Sequence, residues 1–157
     1  MPVIDLATVP LKTGSIYPEP YASQMAGRSS LRLGDAGGLT QFGANLVILA
    51  PGAKSSLRHW HRNEDEFVMV TQGECVLVQD AGETVMHPGD CAAFPAGNPD
   101  GHHFLNRTQA EARFLVVGNR SAREVATYSD VDLVVTLEAG KASFTRKDGA
   151  PFLPEPR

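Results

Sequence analysis

The chain predicts an all-β fold built as an antiparallel sandwich or barrel. Three observations carry this. Apolar-rich runs of five or six residues recur along the chain, separated by turn residues every eight to twelve positions. Apolar residues at helical spacing are nearly absent. The 157 residues suit one compact domain and can bury a core without disulfide or metal staples.

The expected elements follow from local signals. Residues 1–28 carry Pro2, Pro10, Pro18 and Pro20, which oppose long regular elements, so this segment is expected to be irregular. It still holds Ile4, Leu6, Leu11, Ile16 and Tyr17, which need cover against the barrel or a partner subunit. Residues 29–157 are expected to form the β domain with a C-terminal tail. Residues 30–33 make a first strand, and residues 34–38, with three glycines, make a loop. Residues 39–50 are extended until Pro51 and Gly52 end the run. Residues 57–61 and 66–71 are strands joined by a polar stretch in which Glu64 and Asp65 read as solvated charges. Further strands are expected at 75–79, 83–87, 90–94, 102–106, 113–118 and 131–137, punctuated by Gly73, Gly82 and Pro88. The polar and aromatic runs at 128–133 and 144–149 read as solvated loops.

Composition narrows the function. A net charge of −4 with no basic cluster argues against nucleic acid and anionic membrane as partners. No apolar run approaches a membrane span, and the N-terminus lacks a basic start followed by a long apolar run. Cys75 and Cys91 are too few for a disulfide framework. Both sit in apolar runs and are expected to be free, buried thiols in a reducing, cytoplasmic setting.

The chemistry concentrates between Arg58 and Phe67. His59 and His61 are two apart, so on a strand they share a face, and Glu66 follows five positions later. Two imidazoles and a carboxylate can close on one divalent ion. The donor set suits Mn, Fe, Co, Ni, Cu or Zn. His102 and His103 are candidates for a third nitrogen. His102, Phe104 and Asn106 share one strand face, and His103 and Leu105 share the other.

At these positions the chain resembles the cupins. Gly52, His59, His61, Glu66 and Gly73 fill the first cupin motif, with six residues between Gly52 and His59 where five are usual. Gly89, Pro95, Gly97, His102 and Asn106 fill the second, with a gap of four residues after Gly97 that is two longer than usual. His102 keeps the family spacing to Asn106. The resemblance spans about residues 46–118. It implies an antiparallel double-stranded β-helix, the jelly-roll or cupin barrel, with a metal in its mouth. His59, His61, Glu66 and His102 would be the ligands, and coordination positions would stay open for water or substrate. Cupins also commonly pair as homodimers through an outer sheet face and an N-terminal segment.

The pocket beyond the metal is less marked. Gln41, Gly43, Asn45, Val47 and Leu49 share a face, so Gln41 and Asn45 either meet a polar ligand or satisfy backbone groups at a barrel end. His103 could act as a base if its loop swings inward. Trp60 and Arg58 point away from the two histidines, and Phe94, Phe104 and Phe114 are expected in the core. No Arg/Lys cluster falls on an expected pocket strand, which weighs against a phosphorylated substrate, although Arg107 or Arg120 could supply a cation. The expected function is metal-dependent chemistry on a small polar organic molecule, of isomerase or dioxygenase type. The alternatives are non-catalytic binding of a sugar or organic acid, and a dimer in which the metal only fixes the fold.

Overall fold

Besides two 3-10 turns, at Leu6–Thr8 and Ser23–Met25, there are thirteen strands and one short α-helix among the described residues, 3–153, of the computed structural model. In chain order they are β1 Leu11–Thr13, β2 Arg28–Arg32, α1 Leu33–Ala36, β3 Phe42–Leu49, β4 His59–His61, β5 Glu66–Gln72, β6 Cys75–Gln79, β7 Gly82–Met86, β8 Cys91–Phe94, β9 His103–Leu105, β10 Ala112–Asn119, β11 Arg123–Tyr128, β12 Val134–Glu138 and β13 Lys141–Thr145. Every pairing is antiparallel. One sheet runs β1-β2-β3-β10-β5-β8. The other strands pair as β13-β12-β11-β4 and β7-β6-β9. These two groups meet where His59 and His102 exchange backbone hydrogen bonds, N–H to carbonyl at 3.2 and 2.9 Å. They therefore form one layer, β13-β12-β11-β4-β9-β6-β7, facing the first.

The core lies between the layers and follows the two-residue period of the strands. Val47, Leu49, Val68, Val70 and Phe114 enter from the first sheet, and Cys75, Leu77, Met86 and Phe104 meet them from the second. A second cluster, around Met25, Leu57, Tyr128, Leu133 and Val135, closes the β11–β12 end with Tyr17 and Tyr21. The N-terminal chain covers part of the outer face: Ile4 and Val9 pack on Leu31, Leu46 and Ile48.

Several expectations change. The segment before residue 29 contributes β1, which pairs Leu11–Thr13 with residues 29–31 of β2. Residues 33–36 are a helical turn, because Gly37 N–H reaches the Leu33 carbonyl at 2.9 Å. The runs read as loops are loops over 129–133 and 146–149, but their first residues belong to strands: β11 ends at Tyr128, which is buried, and β13 holds Phe144 and Thr145. Cys75 is buried, and burial pushes its thiol up to about 11. Cys91 is exposed, contrary to expectation. It starts β8, the edge strand of the first sheet, where Ala92 and Phe94 turn inward and Cys91 faces out.

Gly73 makes the turn between β5 and β6 at φ +70°, and a Cβ there would lie 2.5 Å from the Glu111 carbonyl oxygen. Since both the backbone and the space exclude a side chain, Gly73→Ala is expected to cost about 1–3 kcal/mol. A urea unfolding midpoint equal to that of the wild type would refute this account of the turn.

Candidate metal centre

The site draws its side chains from both layers. β4 places His59 and His61 on one face because they are two residues apart. The reciprocal bonds to His59 set His102 directly opposite it, so its side chain leaves from the same face. Glu66 comes from the first residue of β5 in the facing sheet. His59 Nε2 and His61 Nε2 stand 3.2 Å apart. Glu66 spans the rest, with Oε2 at 3.3 Å from His61 Nε2 and Oε1 at 3.5 Å from His102 Nε2. With bonds of about 2.1 Å, donors around a divalent ion sit about 3.0 Å apart at a right angle and about 3.4 Å apart at the tetrahedral angle. The separations of His61 from His59 and from Glu66 fit such a set, and His102 joins it through Glu66.

The protonation pattern fits as well. His59 Nδ1 donates to the Leu57 carbonyl at 2.9 Å, which leaves the Nε2 lone pair facing His61. His102 is 2 % exposed, and neither of its ring nitrogens finds a hydrogen-bond partner within the protein. A buried imidazole with an unmet nitrogen beside a carboxylate suits an electrophile placed between them. Phe94 stacks on the His102 ring, centroid to centroid 3.5 Å at 6°, and so fixes its plane.

Glu124 was not anticipated from sequence. It is buried on β11 and accepts from the backbone N–H of Arg62 and of Asn63, at 2.8 and 3.0 Å. Its Oε1 lies 3.7 Å from His61 Nδ1, on the side of the ring away from the centre. A carboxylate behind a liganding imidazole orients the ring and raises its basicity. The only available signal was one glutamate within an apolar run, and nothing in the linear pattern ties it to His61.

A cavity of about 600 Å³ opens beside these donors. Asn45 lines it, as do Glu64 and Asp65, both earlier read as solvated. Glu64 is anchored instead: Ser121 donates to its Oε1 from N–H and Oγ, at 2.8 and 2.9 Å. Gln41 is exposed outside the lining. His103 faces away from the cavity, and its Nδ1 donates to the Ser56 carbonyl at 3.1 Å. Trp60, opposite Thr127 on β11, lies off the lining as its strand position requires.

Charge in the site is strongly coupled. Burial first, and then the neighbouring imidazoles, push His59 down to about 3. Burial would also lower His61, but Glu124 and Glu66 outweigh it and hold His61 up at about 9. Burial would raise Glu66, yet His102 and His61 hold it well below the usual carboxylate range. In the metal-free protein the raised His61 contributes stability that is fully present below its ordinary value of 6.5 and is lost as pH rises through about 9.

A divalent ion must displace the His61 proton. Loading near pH 7.5 is therefore expected to release about one proton per ion, and affinity should fall about tenfold for each pH unit below about 9. Calorimetric titration in buffers of different ionisation enthalpy measures this directly. Glu124→Gln should reduce metal affinity by about 10–100-fold while the fold is retained. Unchanged affinity in that variant would remove Glu124 from the support of His61.

A family model for the cupin domain matches residues 45–118. No curated protein sequence matches the chain. A sugar phosphate isomerase of the cupin superfamily from Silicibacter pomeroyi is 61% identical, covers 97% of each chain and superposes with a TM-score of 0.95. A protein from Acidithiobacillus ferrooxidans, provisionally described as a sugar phosphate isomerase, is 28% identical over 82% of this chain and 81% of its own, with a TM-score of 0.73. The polyketide cyclase of Streptomyces resistomycificus shares the fold at 22% identity over 76% of this chain and 79% of its own, with a TM-score of 0.61. With a relative so similar along nearly its whole length, and with both motifs on one barrel, the chain belongs to the cupin superfamily.

Proposed function

We propose that this protein is a metal-dependent isomerase that interconverts the aldose and ketose forms of a small sugar phosphate. The observation that carries this reading is the convergence of His59, His61 and Glu66, with His102 Nε2 at 3.5 Å from Glu66, on the wall of an open cavity of about 600 Å³, a size that suits a small ligand. The similarity to the Silicibacter pomeroyi protein supplies the reaction class. His59, His61, Glu66 and His102 would hold the ion, which when bound would polarise the carbonyl and neighbouring hydroxyl oxygens of the sugar.

The chain's own residues then have separate tasks. Asn45, on the cavity wall, hydrogen-bonds a sugar hydroxyl. Glu64 takes the proton from the carbon beside the carbonyl and returns it to the former carbonyl carbon, so no oxidant or second substrate is needed. Ser121 holds Glu64 in place for this transfer. The Phe94 stack keeps His102 from rotating as charge shifts in the site.

The outer face of the first sheet, where Phe67 is exposed beside Val117 and Ala93, is the surface we assign to pairing of two copies. Sedimentation at micromolar concentration should give a dimer, and a monomer would end that assignment.

Two measurements test the enzyme reading. Purified wild type should contain about one divalent ion per chain, and His59→Ala should lose it while keeping its circular dichroism. In deuterium oxide the loaded wild type should convert aldose phosphates to ketose phosphates with deuterium entering at the reacting carbon. Glu64→Gln should slow this by about 10²–10⁴-fold. Fully loaded protein that neither isomerises nor exchanges any aldose or ketose phosphate would overturn the reading.

A further inference from the structure

The cavity has a cationic wall that the linear pattern concealed. On β1 and β2, Lys12 stands opposite Ser30, Arg28 opposite Leu49 and Arg32 opposite Asn45. Directly opposed residues project from the same face of a sheet. Leu49 is core and Asn45 lines the cavity, so Arg28, Ser30, Arg32 and Lys12 all sit on the interior face. All four line the cavity beside the metal donors.

These cations differ in how far they are already paired. Arg120 and Arg32 both approach the single carboxylate of Asp35, Arg32 at 3.8 Å. Arg28 is half-buried, and its Nε donates to the Ser55 carbonyl at 2.7 Å. Among the described residues no carboxylate forms an ion pair with Arg28 or Lys12, and the charges that Arg28 feels most are Tyr17 and a second cation, Arg32. Holding a guanidinium half out of water beside another cation is unfavourable unless an anion arrives. The Ser55 bond fixes the arginine at the same cavity wall that Ser56 and His59 line.

We propose that Arg28 and Lys12, with Ser30 between them, form the subsite for the phosphate group of the substrate. This deepens the isomerase reading, on which the identity of the ligand rests. A phosphate monoester carries close to two negative charges at neutral pH and several acceptor oxygens, so it meets two unpaired cations. A carboxylate would leave one of them unmatched. Arginine grips such a group through two N–H donors, and lysine adds a compact positive charge. The open floor between this wall and Glu66 follows from sequence: Gly43 and Gly118, paired across β3 and β10 and level with Glu66, put no side chain in the way. One end of the ligand then rests on β1 and β2 while its carbonyl end reaches the histidines.

The test titrates inorganic phosphate into the metal-loaded protein by calorimetry, with the metal content of each variant measured separately. Arg28→Gln should weaken phosphate binding by about 10–100-fold, and Lys12→Gln by a smaller but measurable factor. Both should keep their metal. Phosphate resting on the ion alone would bind both variants as tightly as the wild type, and that result overturns the subsite. Lys12 is exposed on an edge strand, so Lys12→Gln decides the matter if Arg28→Gln does not fold. Wild type that binds no phosphate at tens of millimolar also overturns it. Should the purified protein prove to hold no metal, the same titration on it still reads the subsite, so the two readings fail separately.

Discussion

The centre depends on one pair of reciprocal backbone hydrogen bonds, between His59 and His102. They join two strand groups into one layer and fix the register between β4 and β9. Strand side chains alternate with a period of two, so register decides which face a residue occupies. A slip of one residue would turn His102 toward solvent and bring His103 inward. The bonds are supported on both sides: the Asn106 N–H meets the Ala53 carbonyl at 2.9 Å, and Asn106 Nδ2 donates to Leu49 and Ala110 carbonyls at 2.9 and 2.7 Å. Asn106 therefore pins the end of β9, and its role is to hold the strand that presents His102.

The second constraint is electrostatic. Three imidazoles crowd Glu66 on the wall of the cavity. Like charges there would be costly, and the metal-free site avoids them by leaving His59 neutral and placing the proton on His61, between Glu66 and Glu124. Glu124 is itself held by two backbone N–H donors at the start of the β4–β5 connection. The same connection carries Glu64, so the support of the histidines and the cavity wall share one short loop. A shift in this loop would change ligand basicity and the proposed proton carrier together.

Much of this was legible in the chain. The spacing of His59, His61, Glu66 and His102, and the turn glycines around them, marked the barrel and the converging set because both depend on local periodicity. The choice of His102 over His103 rested on its spacing to Asn106 alone, since a longer loop precedes them and pairing with β4 sets the face. Glu124 was hidden because its partner lies 63 positions away in the sequence, from His61 to Glu124. Gln41 looked equivalent to Asn45 by alternation, but β3 begins at Phe42, so the alternation does not extend to Gln41. The cationic wall was missed for a related reason. Prolines made residues 1–28 read as irregular, and without β1 and the start of β2 no face could be assigned to Lys12 or Arg28.

That N-terminal stretch ties the two faces of the first sheet together. Its first residues pack Ile4 and Val9 on the outer side of β2 and β3. It then crosses the edge, and β1 turns Lys12 to the inner side while Tyr17 packs against Tyr128 at 5.4 Å between ring centroids. Tyr128 in turn lies 5.9 Å from the His59 ring. Burying Ile4 and Val9 outside thus positions the cations inside, and the aromatic contact carries the same segment to the histidine end of the cavity. A fold that uses its N-terminal segment for apolar cover also brings from it Lys12 and Arg28 to the cavity wall.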